Sequence, residues 1–106
     1  RMSYKFKGTK EDAFELHDLL NVLLNEQGVT PLPGEGIEGN LSKVHTEYHP
    51  YARGNRTVAT YEFVKKQDAV NYTITLALPG LLPAEQNVID TTIRLRLPRL
   101  YATKKT

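Results

Sequence analysis

The sequence predicts a small α+β domain. One N-terminal amphipathic helix packs on a mostly antiparallel five-stranded sheet, or on the mouth of a partly closed β-barrel, in the order β-α-β-β-β-β. Three stretches carry that expectation. Residues 72–78 alternate Tyr72, Ile74, Leu76 and Leu78 with Thr73, Thr75 and Ala77. Residues 90–97 alternate Ile93, Leu95 and Leu97 with Thr92, Arg94 and Arg96. Period-two patterning of this kind puts one set of side chains on a buried face and the other in water. Residues 10–27 instead repeat leucine at helical spacing.

The composition bounds the answer. A chain of 106 residues can bury its own core as a single domain spanning 1–106. With no cysteine, a disulfide framework or a thiolate metal site is excluded. No apolar run approaches the ~20 residues of a membrane span and no signal-peptide core is seen, so a cytoplasmic setting is expected. Arg1-Met2-Ser3 reads as a remnant ahead of a natural start. The net charge of +2 hides an asymmetry: residues 1–50 carry five Lys/Arg against eight Asp/Glu, residues 51–106 nine against four.

Taken in order, Tyr4-Lys5-Phe6-Lys7 predicts a short strand at an edge, where lysines discourage further pairing. Thr9 is placed to cap the helix with Asp12 at the third following position, and Gly28 to end it. Ala13, Leu16, Leu20, Leu23 and Leu24 form its apolar stripe. Phe14 and Val22 fall toward the polar side, and His17 flanks the stripe as a hydrogen-bonded histidine. Residues 28–40, with four glycines and two prolines, read as a flexible connector. They lack the Lys-Ser/Thr ending of a phosphate loop.

Residues 41–48 alternate again and predict a strand, residues 49–56 a loop, and residues 57–64 a strand with Ala59, Tyr61 and Phe63 inward. His45 and His49 would stand ~13 Å apart on a strand, too far to share one ion, so no metal site is expected. A turn follows at 65–68, a loop at 79–87 with an exposed Leu81-Leu82, and a frayed tail at 102–106.

No catalytic constellation assembles. Serine occurs only at Ser3 and Ser42, and the helix carboxylates face solvent, so a non-enzymatic protein without cofactor is expected. The basic residues group better. Arg53 and Arg56 frame a loop with Tyr51 for stacking, Lys65 and Lys66 sit at the next turn, and Arg94, Arg96 and Arg99 close the chain. On a strand Arg94 and Arg96 would leave one face ~6.5 Å apart, forming the centre of a surface for RNA or single-stranded nucleic acid. The other class is a protein partner or homo-oligomer met by Phe14, Val22, Leu81 and Leu82.

Leu78-Pro79 and the run from Thr91 to Leu100, ending Leu97-Pro98-Arg99-Leu100, add a resemblance. They are similar to a small accessory family of Gram-positive conjugative plasmids and integrative elements. Its members carry a strand ending in Leu-Pro-Ala, a loop, and a strand ending in Asn-Pro-Arg-Leu. Pro79, Pro98, Arg99 and Leu100 match; Gly80 replaces the alanine and Leu97 the asparagine, and Thr60-Tyr61 matches an upstream Thr-Tyr. The resemblance implies a regulatory or accessory role in conjugation, RNA binding by a PUA-like barrel, and no catalytic residues.

Overall fold

A computed structural model describes residues 3–32, 46–66 and 69–105, without the side chains of 46–48. Five strands, β1 (Ser3–Gly8), β2 (Thr30–Pro31), β3 (Thr46–Arg53), β4 (Arg56–Val64) and β5 (Tyr72–Ala77), form one antiparallel sheet in the order β1-β5-β4-β3-β2. The sheet stays open. Helix α1 (Lys10–Glu26) follows β1, while α2 (Pro83–Arg96) and the single turn α3 (Pro98–Tyr101) follow β5.

The helix α1 forms where its signals place it. Thr9 Oγ1 accepts from the Asp12 amide at 3.2 Å, and Asp12 Oδ2 accepts from the Thr9 amide at 2.8 Å, closing a capping box. Gly28 takes φ +76° just past the end, a left-handed position that glycine adopts without a Cβ penalty. All five stripe residues are buried. They join Phe6, Tyr61, Phe63, Ile74 and Leu76 in one hydrophobic cluster, so the helices cover one face of the sheet. Ala59, Tyr61 and Phe63 point inward as expected.

The expected strand at residues 90–97 is helical instead, within α2. Ile89, Ile93 and Leu97 also recur at helical spacing, so its alternation does not decide between periods. Over the longer window, Gln86, Ile89, Ile93 and Leu100 are buried at helical spacing, whereas Leu95, which a strand would bury, is 71% exposed. Pro83 at the first helical turn and Glu85, whose Oε1 accepts from the Leu82 amide at 2.9 Å, start the helix. The expected loop at 79–87 therefore ends early. Leu81 is buried and only Leu82 stays exposed. The fifth strand of the sheet is β2.

Two further expectations change, at the connector and at the loop of residues 49–56. The expected connector contributes β2 and the buried Val29, and its remainder lies outside the described residues. The expected loop at 49–56 is the end of β3, a tight turn with Gly54 at φ +65°, and the start of β4. Pro50 removes no hydrogen bond to β4, since its carbonyl accepts from the Leu32 amide at 3.0 Å and the position of its missing amide proton therefore faces the short β2 side. The first residues of the expected strand at 41–48, including His45, and part of the turn at 65–68 lie outside the described residues.

The tail does not fray over 103–105. Lys5 and Lys105 exchange both backbone hydrogen bonds, at 3.1 and 3.0 Å, and the Lys7 amide donates to Thr103 Oγ1 at 2.9 Å. Asp90 Oδ1 accepts from both Tyr4 Oη (2.7 Å) and Tyr101 Oη (2.9 Å), tying β1, α2 and α3 together.

Candidate nucleic-acid interface

The residues expected to bind nucleic acid do not form one surface. Tyr51 is fully buried and its hydroxyl donates to Asn21 Oδ1 at 2.9 Å, so it offers no stacking face. Arg53 is engaged inside the molecule. Its Nη2 donates to Glu85 Oε2 at 2.6 Å and to the Gln27 carbonyl at 2.9 Å, joining the hairpin to the end of α1 and the start of α2. The Leu82 amide and then Arg53 hold the Glu85 carboxyl below the usual carboxylate range. Arg56 is exposed across the hairpin from Arg53. Lys65 is half-buried, its Nζ 5.8 Å from the centre of the Tyr72 ring.

Arg94 and Arg96 are both exposed, but on a helix two positions turn the side chain by about 200°. They diverge rather than share a face, and the paired centre read from alternation does not exist. Arg99 is exposed on α3. Of the expected partner positions, Phe14 packs against the core, Leu81 is buried, and Val22 and Leu82 are exposed.

A different basic surface emerges on the uncovered face of the sheet. The register places Lys5 opposite Thr75, with Glu62 beyond it, and Lys7 opposite Thr73, with Val64 beyond. These side chains, with Lys66 and Asn71, line a shallow concavity of about 410 Å³. The bridge from Lys5 brings Lys105 to a neighbouring depression that Lys5 and Thr75 also line. Among the described lining residues, four lysines thus meet one carboxylate, Glu62, on a floor of threonines. Lys5 and Lys7 are two positions apart on a strand, ~6.8 Å, about the separation of successive phosphates on an extended strand. Of these cations only Lys66 was singled out from sequence. The signal for Lys5 and Lys7 was present in their alternation with Tyr4 and Phe6.

On the covered face, His17 and His49 face each other with ring centroids 5.6 Å apart, beside Tyr61 and Phe63. The hydrogen-bond polarity is decided from Tyr51. Because Tyr51 donates to Asn21 Oδ1, the Asn21 amide nitrogen donates to His17 Nε2 at 3.2 Å. His17 is therefore held neutral, with its proton on a buried Nδ1 that has no hydrogen-bond partner. Burial, then the neighbouring His49, lower its pKa, against the opposing pull of Asp18. Among the described residues, no three His, Cys, Asp or Glu come together to hold a metal ion.

A pH dependence follows with a definite sign. A histidine whose pKa is lower when folded binds more protons when unfolded, so its contribution is intact above about pH 6.5 and is lost as pH falls below that value. The melting temperature is expected to drop between about pH 7.5 and 5.5, and His17→Gln to flatten that part of the curve. Thermal melts of both proteins across the range check it; an equally steep drop in the variant assigns the effect to other groups.

No protein-family model, curated protein or solved structure matches this chain. Among the described residues, no helix is long and apolar enough to cross a membrane.

Proposed function

We propose that the protein is a non-enzymatic nucleic-acid-binding accessory protein that takes up RNA or single-stranded DNA on the open face of its sheet. The observation that carries this reading is the lysine-lined concavity of Lys5, Lys7 and Lys66 over Thr73 and Thr75, with Lys105 beside it. Lysine ammonium groups meet phosphates as point charges, and the threonine hydroxyls and the Asn71 amide supply neutral hydrogen bonds to the same backbone. With no exposed aromatic among the residues lining the concavity, contact is through the backbone, and little sequence preference is expected. The proposed setting, regulation within a conjugative element, rests on the resemblance of the segment ending at Leu100 alone.

Fluorescence anisotropy with labelled single-stranded RNA and DNA pools tests the reading. Four phosphate contacts predict a slope of log affinity against log salt near about −3. Lys5→Glu with Lys7→Glu is expected to weaken binding by more than about tenfold, since it reverses two charges at the centre of the face. Arg94→Gln with Arg96→Gln, on the other side of the molecule, is expected to change it less than about twofold. No binding at low salt, or equal loss in both double variants, overturns the assignment of this face.

A further inference from the structure

We propose that the groove between α1 and α2, on the side of the sheet away from the lysines, docks a basic amphipathic helix of a partner protein. The groove encloses about 580 Å³. Its apolar lining is Leu19, Val22 and Leu23 from α1 and Leu97 beyond α2. Val22 is 57% exposed there, in a helix whose other large aliphatic side chains are buried or half-buried. The facing wall is Thr92 and Arg96 of α2. Thr92 is satisfied within its own helix, its hydroxyl donating to the Val88 carbonyl at 2.8 Å, so it makes no demand on a polar ligand. Val88 and Leu95 lie about one turn to either side of Thr92 along the same stripe, 49% and 71% exposed. The apolar surface therefore continues from the groove over the rim of α2.

Length and charge choose the occupant. The α1 wall runs from Glu15 to Glu26, twelve residues whose ends stand ~16 Å apart along the helix, which matches about three turns of a helix laid alongside. Apolar positions at i, i+3, i+4 and i+7 of such a helix meet a groove of this form. Glu15, Asp18 and Glu26 stand along the α1 wall against Arg96 alone on the other, so the lining is net negative. That favours Lys or Arg flanking the apolar stripe of the partner. A second copy fits poorly: closing two such grooves on each other would gather six carboxylates around two arginines.

The test uses a synthetic peptide of about 16 residues, long enough to hold a helix, with leucine at those four spacings and lysine elsewhere. A scrambled peptide of the same composition is the control. Saturable binding of the striped peptide is expected. It should weaken at least about tenfold in Val22→Ser/Leu95→Ser, and also in Glu15→Gln/Asp18→Asn, measured by anisotropy on protein whose melting temperature is unchanged. All four positions are exposed or partly exposed on helix surfaces, so these variants fold. Failure of the striped peptide to bind, or equal binding of the scrambled one, overturns the proposal. So does a concentration-dependent dimer, seen by light scattering, that Val22→Ser/Leu95→Ser dissolves, because the groove would then belong to a second copy. None of these outcomes depends on the lysine face.

Discussion

Leu20→Asp is expected to leave the chain unfolded. Leu20 is fully buried in the middle of the α1 stripe, in the same cluster as the inner side chains of the sheet. Truncating such a leucine to alanine alone costs about 2–5 kcal/mol through lost transfer energy and the cavity left behind. A carboxylate adds the cost of burying a charge with no cation placed to meet it, or of holding a proton at neutral pH. A domain of this size has about 5–15 kcal/mol to lose. The amide proton spectrum should collapse to the narrow dispersion of an unfolded chain. A well-dispersed spectrum would mean that α1 does not pack on the sheet through this stripe.

Gly80→Ala is expected to cost about 3 kcal/mol or more, at a position where a methyl group is ordinarily trivial. A Cβ on Gly80 would lie 2.5 Å from both Cα and Cβ of Val58 and 2.7 Å from its Cγ1. The obstacle includes backbone, so no rotamer change relieves it. The backbone is also pinned from both sides. The Gly80 amide donates to the Val58 carbonyl at 2.8 Å, and buried Gln86 Nε2 donates to the carbonyls of Leu78 (3.0 Å) and Leu81 (2.9 Å). Urea titration measures the loss; a change below about 1 kcal/mol would show that the loop can move away from β4.

The elements that were legible in the sequence are those whose local and tertiary signals agree. In α1 the capping box, the leucine stripe and Gly28 all point one way, and in β4 and β5 the alternation coincides with a high density of β-branched and aromatic residues. At residues 90–97 the signals conflict. Ile93 and Leu97 suit either period, and Leu95, 71% exposed in the helix, tips a short window toward strand. Pro83 and Glu85 are the stronger information, because a helix start depends on named backbone groups and a six-residue alternation does not. The site suffered from the same error: once 90–97 is a helix, Arg94 and Arg96 separate. No local pattern announces the engagement of Arg53, whose partner Glu85 lies 32 positions away. Lys5 and Lys7 suit the guarding of an edge, and β1 also presents them on the open face.

The return of residues 103–105 to β1 has a consequence for how this molecule can be recognised at all. A sheet rim with free amides and carbonyls invites another chain to add a strand, productively or as the seed of aggregation. Here one rim is occupied by the molecule itself, through the paired backbones of Lys5 and Lys105 and the Thr103 hydroxyl on Lys7. At the other, β2 offers two residues, one of them Pro31, which has no amide proton to give. Strand addition at the β1 rim is thus closed to foreign peptides, and a partner arriving on that side is left with the two broad faces, one lined by lysines and one covered by the helices.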